Sequence, residues 1–280
     1  MKPFGPSRTA QGAAMHRAAH QVLDRPLVFE DPLALAILGH DAEAELSQPG
    51  DWHGFASPGL RAFIVGRSRL AEDLLGEAIG RGTSQYVVLG AGLDTYAYRQ
   101  GSRPLAIFEI DHPATQAWKR ARLEEAGIIN PSAIFVPIDF EAECLQNALC
   151  RAGFDFSRPA FVAWLGVTSY LARGSVMETL ATVGARFAKG SEIVFDYAEP
   201  AGEWDPAHRP RLASLSRRVA AAGEPLRSFF EPQGLARDVA ALGFSKGEDW
   251  DASALNARYF SERADGLRIA GRAHSFHARL

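Results

Sequence analysis

The residues best placed to do chemistry are two glycines and a set of charged side chains at the ends of apolar runs. Gly90 and Gly92 close the run Tyr86–Leu89, and Asp111 stands nineteen residues past the second glycine, at the end of the run Leu105–Ile110. An acid about 20 residues beyond such a turn is placed to hydrogen-bond the hydroxyls of a bound ribose. Asp139 ends a third apolar run, 133–138, where with the Phe140 backbone it is placed to take an adenine amine. Either acid alone reads equally well as a loop acid capping the next helix. Two in register with Gly-x-Gly favour a nucleoside site. Arg67 supplies a cation: on a helical wheel it lies amid Phe63, Leu70, Ala71, Leu74 and Ala78, and arginine is seldom buried without an anion. A cofactor carboxylate would answer it, and so would an ion pair with Asp94 or another loop acid. Arg69 and Asp73, one helical turn apart on the other side, read as a solvated surface pair.

The residues after the glycines select the nucleoside. In Gly90-Ala91-Gly92-Leu93-Asp94-Thr95 the third glycine of a dinucleotide fingerprint is replaced by Thr95. Asp94 enters the first helical turn, where the macrodipole favours an anion. Its carboxylate would fill the place of a pyrophosphate; a plain helix cap by Asp94 or Thr95 explains the residues as well. A nucleoside without phosphate and bearing an ammonium suits this turn, which points to S-adenosylmethionine. The rival readings are an NAD-dependent oxidoreductase and a non-catalytic cofactor-binding module.

The other polar motifs carry less. His16 and His20 have the spacing of a zinc-protease helix, but Arg17 stands where that motif needs a glutamate, and no metal site is expected. His274 and His277 read as surface strand positions, and His112 as the residue leading a helix. No Gly-x-Ser-x-Gly elbow occurs. Cys144 and Cys150 point to different faces of a presumptive helix and imply neither zinc nor a disulfide.

These side chains need a scaffold of alternating strands and helices. Strands are expected at 86–90, 105–110, 133–138, 160–165 and 191–197, with helices at 94–99, 113–126, 141–152 and 174–188 between them. Near-continuous apolar strands separated by helices imply a doubly wound, mostly parallel α/β sheet. Before it lie helices at 8–23, around Asp31–Leu38 and at about 62–79, with a loop at Gly50–Gly59. After Pro200 come arginine-rich helices, a helix at 232–242 and two strand-like runs. The whole is expected to form one domain, with 1–60 as an N-terminal helical cap, 61–200 as cofactor-binding core and 201–280 as C-terminal cap and last strands.

The chain has 280 residues, 47% of them apolar, and a formal net charge of −3. That is ample for a packed core, and without a basic tract it speaks against nucleic acid as a partner. The first thirty residues lack the apolar core of a secretory signal, and no stretch has the roughly 20 apolar residues of a membrane span. A cytoplasmic location is expected.

Taken together, the sequence resembles the leucine carboxyl methyltransferase-like family of class I S-adenosylmethionine-dependent methyltransferases, in particular a bacterial branch that includes O-methyltransferases of polyketide pathways. The resemblance is carried by Ser7-Arg8-Thr9-Ala10 with Arg17-Ala18, Phe29-Glu30-Asp31-Pro32, Arg67-Ser68-Arg69, Val88-Leu89-Gly90-Ala91-Gly92-Leu93-Asp94-Thr95, Phe108-Glu109-Ile110-Asp111, Lys119, Asp139, Gly166-Val167-Thr168-Ser169-Tyr170-Leu171 and Tyr259–Leu267. It implies that Arg67 and Arg17 hold the methionine carboxylate, that Gly90, Ala91 and Gly92 lie under the amino-acid portion, and that Asp111 takes the ribose and Asp139 the adenine. Many members carry a glutamate facing the cofactor ammonium where this chain has Leu165, whose backbone carbonyl is left to accept. Methyl transfer to an ionised carboxylate needs no base. A hydroxyl acceptor would need one, and Tyr170 and His112 are the candidates. The expected acceptor is a small molecule, a carboxylic acid or hydroxylated metabolite.

Overall fold

Five of the apolar runs become parallel strands: β1 Gln85–Leu89, β2 Ala106–Asp111, β3 Ala133–Pro137, β4 Ala160–Trp164 and β5 Glu192–Ala198. The computed structural model describes residues 7–39, 57–100, 104–129, 133–139, 143–200 and 223–280, with isolated positions at 42, 46, 202, 213, 216, 217 and 219–221. The sheet order is β3-β2-β1-β4-β5-β7-β6. Here β7 (Ala273–Arg279) runs antiparallel to both β5 and the edge strand β6 (Lys246–Trp250). Chain order reverses between β1 and β4, and this reversal opens a crevice at the carboxyl ends of the strands, where open α/β sheets bind ligands.

Each face of the sheet has its own apolar layer. Helices α5 (Leu145–Arg151), α6 (Arg173–Arg186) and α7 (Pro232–Ala241) lay Leu149, Leu180, Val183, Leu235 and Val239 on one side. Helices α2 (Pro58–Gly80), α3 (Tyr96–Arg99) and α8 (Ala252–Tyr259) lay Leu70, Leu74, Ala78, Tyr96 and Leu255 on the other. That double cover is why the central strands read as unbroken apolar runs. Strand β6, Lys-Gly-Glu-Asp-Trp, is mostly exposed, as suits an edge protected by charge.

Helix boundaries follow local caps. Helix α1 (Arg8–Leu23) starts where the Ser7 hydroxyl accepts from Ala10 N at 3.1 Å. Helix α2 starts at Pro58, capped by Ser57, four residues before the expected start, so the expected loop at 50–59 loses its end to the helix. Its residues 50–56 lie outside the described part. The expected helix at Asp31–Leu38 is a series of turns ending in a 3₁₀ turn, Ala36–Leu38. Helix α4 (Pro113–Glu125) matches expectation, whereas the described part of 141–152 is helical only from Leu145. Most of the arginine-rich segment after Pro200 lies outside the described residues. No helix among the described residues is long and apolar enough to cross a membrane.

His274 departs from its expected surface position. It is buried in β7, with Nδ1 2.7 Å from Asp249 Oδ2 on β6 and Nε2 2.7 Å from Glu199 Oε1 just past β5. The ring stacks on Tyr197, whose hydroxyl donates to Asp249 Oδ1 at 2.8 Å, while Arg272 also pairs with Glu199. Burial opposes the imidazolium charge, but the two carboxylates outweigh it and raise the pKa above 6.5. A raised histidine pKa stabilises the fold fully below the unfolded value and loses that contribution as pH rises through the folded one. The melting temperature should therefore fall as pH is raised from about 6.5 into the alkaline range, and His274→Gln should flatten that slope. Equal slopes in thermal melts of the two proteins would remove His274 as the titrating group.

Candidate active site

The Gly90–Thr95 turn leaves β1 with both glycines in the left-handed region, Gly90 at φ 70° and Gly92 at φ 44°, which other residues adopt only with strain. A Cβ on Gly90 would also overlap the Val167 side chain. The turn is stitched to the end of β2: Gly90 N and Ala91 N donate to Ile110 O at 2.8 and 3.0 Å, and Gly92 N donates to Asp111 Oδ2 at 2.6 Å. The other Asp111 oxygen accepts from His112 N at 2.7 Å. Burial raises the Asp111 pKa despite these two amides. Asp94 Oδ1 accepts from Tyr96 N at 2.8 Å. Its carboxylate thus sits at the start of α3, where a pyrophosphate would otherwise bind.

A second set of bonds fixes the far end of the turn. Asp31, only 1% exposed, accepts from Thr95 Oγ1 at 2.7 Å and from Arg17 Nε at 3.3 Å. Arg17 Nη2 donates to Leu93 O at 2.5 Å. Arg99 joins through Thr95 Oγ1 at 3.0 Å and Asp31 Oδ1 at 3.5 Å, and its Nη2 reaches Glu72 of α2 at 2.5 Å. Arg17 was expected to hold a ligand carboxylate. It lines the cavity, but the donors just described are committed to the turn, so its structural part is to hold the backbone under the ligand. Thr95, which replaces the third glycine, has the hydroxyl that glycine lacks.

Arg67 is answered by an acid absent from the expectations, Asp196 at the end of β5, with Nη1 to Oδ2 at 2.6 Å and both side chains nearly buried. The guanidinium lies over the Phe63 ring and against Gly166, where an added Cβ would come within 2.7 Å of Nη2. Gly166 N donates to Asp196 Oδ1 at 2.5 Å, and Thr168 Oγ1 donates to the Asp196 carbonyl. The alternative expected for Arg67, a protein carboxylate, is therefore present, although neither Asp94 nor another loop acid supplies it.

A cavity of about 1830 Å³ lies along these elements, larger than the roughly 300–1,000 Å³ of most ligand pockets. It brings together Arg17, Arg67, Gly90, Ala91, Gly92, Asp94, Asp111, His112, Asp139, Leu165 and Tyr170; Phe140 lies outside the described residues. Residues of α1 and of 223–227 also border it, and Thr9 N donates to Glu224 Oε2 at 2.9 Å across that border. His112 caps α4, its Nδ1 accepting from Ala114 N at 3.2 Å. Burial pushes the Tyr170 phenol up to about 12.

Other polar residues reinforce the scaffold. Glu109, inside β2, pairs at 2.7 Å with Lys119 of α4, both 1% exposed. An acid within an apolar run and a lone lysine ten residues on were the available signals. His20 accepts from Val28 N at 3.0 Å through Nε2, so Nδ1 carries the proton directed at Asp24, 2.8 Å away. Asp24 also receives Arg61 at 2.8 Å. Burial would raise the Asp24 pKa, but His20 and Arg61 outweigh it and hold it below its ordinary value.

Removing the Asp31 carboxylate would leave the buried Arg17 and the half-buried Arg99 without their common acceptor. Asp31→Ala should cost about 3–5 kcal/mol and lower the melting temperature by on the order of 10 °C, at about 2–4 °C per kcal/mol. A shift below about 2 °C in a thermal melt would mean that the turn is held by other means.

A family model described as leucine carboxyl methyltransferase matches residues 10–184. The Bacillus subtilis (strain 168) protein YktD, whose name marks it as an inferred S-adenosyl-L-methionine-dependent methyltransferase, is 29% identical over 298 residues, covering 97% of each chain. A Mycolicibacterium vanbaalenii protein named for the same inferred activity is 35% identical over 229 residues, 75% of this chain and 72% of its own. The crystal structure of an inferred methyltransferase from Thermobifida fusca YX superposes with a TM-score of 0.59 at 19% identity, over 98% of this chain and 95% of that one; that likeness concerns the fold. The chain belongs to the leucine carboxyl methyltransferase family and is an S-adenosylmethionine-dependent methyltransferase.

Proposed function

We propose that the chain is an O-methyltransferase whose acceptor is a small apolar molecule bearing a carboxylate. The residues present fit S-adenosylmethionine: Gly90 and Gly92 turn the backbone through the left-handed region beside the cavity, Asp111 ends β2, and the buried Arg67 Nε finds no hydrogen-bond partner among the described residues. In this reading Asp111 binds the ribose, Asp139 the adenine, and Arg67 the methionine carboxylate above Gly90–Gly92. Leu165 contributes backbone beside them. The bound cofactor supplies an electrophilic methyl group on a good sulfur leaving group. The chain's own part is then to align the acceptor and exclude water.

The observation that carries the carboxylate reading is the state of the two candidate bases. The Tyr170 phenol is neutral far above physiological pH, and the His112 Nδ1 lone pair is already used by Ala114 N. An ionised carboxylate attacks without giving up a proton and asks nothing of either. The apolar acceptor is argued from Leu60, Phe63, Ile64, Val219 and Leu226 along the cavity. Residues of α1 and 223–227 are proposed to cap it and to set acceptor choice, as segments outside a rigid core commonly do.

Incubation with methyl-labelled S-adenosylmethionine and matched apolar acids and phenols tests the reading. Label is expected in base-labile esters, at a rate that varies little between about pH 6 and 9, where carboxylates of pKa near 4 stay ionised. Transfer to phenols alone, with a rate rising steeply with pH, would contradict it.

A further inference from the structure

The Arg67–Asp196 pair borders the cavity, yet neither charge is fully bonded. Among the described residues Arg67 makes one hydrogen bond, Nη1 to Asp196, and its buried Nε has none. Asp196 uses Oδ2 for Arg67 and Oδ1 for Gly166 N, and a carboxylate has lone pairs for about four donors. The absence of a side chain at Gly166 is what lets the guanidinium lie against this backbone. The cavity wall thus holds a cation and an anion side by side, each with bonding capacity left.

We propose that Arg67 and Asp196 together form a receptor for the zwitterionic α-amino-acid end of the cofactor, Arg67 taking the carboxylate and Asp196 the ammonium. This rests on the cofactor placement above and adds Asp196, an acid on β5 outside the Gly-x-Gly and ribose elements. The electrostatics favour it. A buried charge needs an opposite charge, and without ligand the pair answers itself. An incoming zwitterion gives each member a further partner of opposite sign and buries no net charge of its own. A ligand carrying only the carboxylate would compete for Arg67 and leave Asp196 less well paired. A site built for two charges therefore discriminates against an analogue with one.

Calorimetric titration separates this from a purely structural ion pair. Three ligands are compared: S-adenosylhomocysteine, its des-amino analogue with the carboxylate retained, and methylthioadenosine, which lacks the amino-acid end. Wild-type protein should bind S-adenosylhomocysteine at least about tenfold more tightly than the des-amino analogue. In Asp196→Asn, which keeps the size and an acceptor for Gly166 N, that preference should shrink to about threefold or less. If the amide variant does not fold, Asp196→Ser, which also retains an acceptor oxygen, gives the same comparison. A wild-type protein that does not distinguish the two ligands overturns the proposal. So does a preference that survives substitution of Asp196, which would assign the ammonium to another acceptor such as the Leu165 carbonyl. Tight methylthioadenosine binding in either case would leave the cofactor placement standing, whereas failure of all three ligands to bind would remove that placement too.

Discussion

A buried carboxylate shared by two arginines and a threonine governs the geometry of this protein. Asp31 lies in the turn after α1, yet its oxygens reach Arg17 on α1, Thr95 at the exit of the glycine turn and Arg99 on α3. Through Arg99 the same network extends to Glu72 on α2. Four chain segments that share no strand pairing are fixed relative to one another. Full charges away from water need partners on every side, so the network tolerates few other arrangements. Its consequence is local: the backbone from Gly90 to Thr95 is held at one end by β2 and at the other by Asp31.

A turn fixed at both ends presents its backbone without reorganising on binding, and preorganisation is where much of a binding site's affinity comes from. The methyltransferase chemistry asks little more of the protein, because the reactive group arrives with the cofactor. This explains why the polar residues of the site largely position backbone. Arg17 and Asp94 bond to the turn or its helix, Thr95 ties the turn to Asp31, and His112 bonds to its own helix. Arg67 and Asp196 differ in having unused capacity on the cavity wall.

Much of this could be read from the residues. The parallel core was legible because strands buried on both faces are apolar without alternation, and the glycine turn because two left-handed positions leave few alternatives to glycine. Arg67 stood out because a charge in an apolar helical stripe must be answered. Its partner was not legible: Asp196 is 129 residues away, inside a run that reads only as a strand, and nothing local marks which strand-end acid meets a given helix. The same holds for His274, whose acidic partners lie on β6 and just past β5 and whose alternation with apolar residues resembles a surface position. Asp31 and Thr95 were visible as parts of a family motif, but their bond to each other depends on tertiary packing. The charged sequence of β6 is explained by its place at the sheet edge, which becomes clear once the β7 pairing is known.

The central claim is that the Asp31 network holds the glycine turn ready for the nucleoside cofactor. A crystal structure of the protein with S-adenosylhomocysteine tests it most directly. The account predicts the ribose at Asp111, the amino-acid portion over Gly90–Gly92, and the Thr95–Asp31 and Arg17–Leu93 bonds intact within ordinary hydrogen-bond distance, about 2.5–3.2 Å. A ligand bound elsewhere, or a turn displaced with those bonds broken, would contradict it.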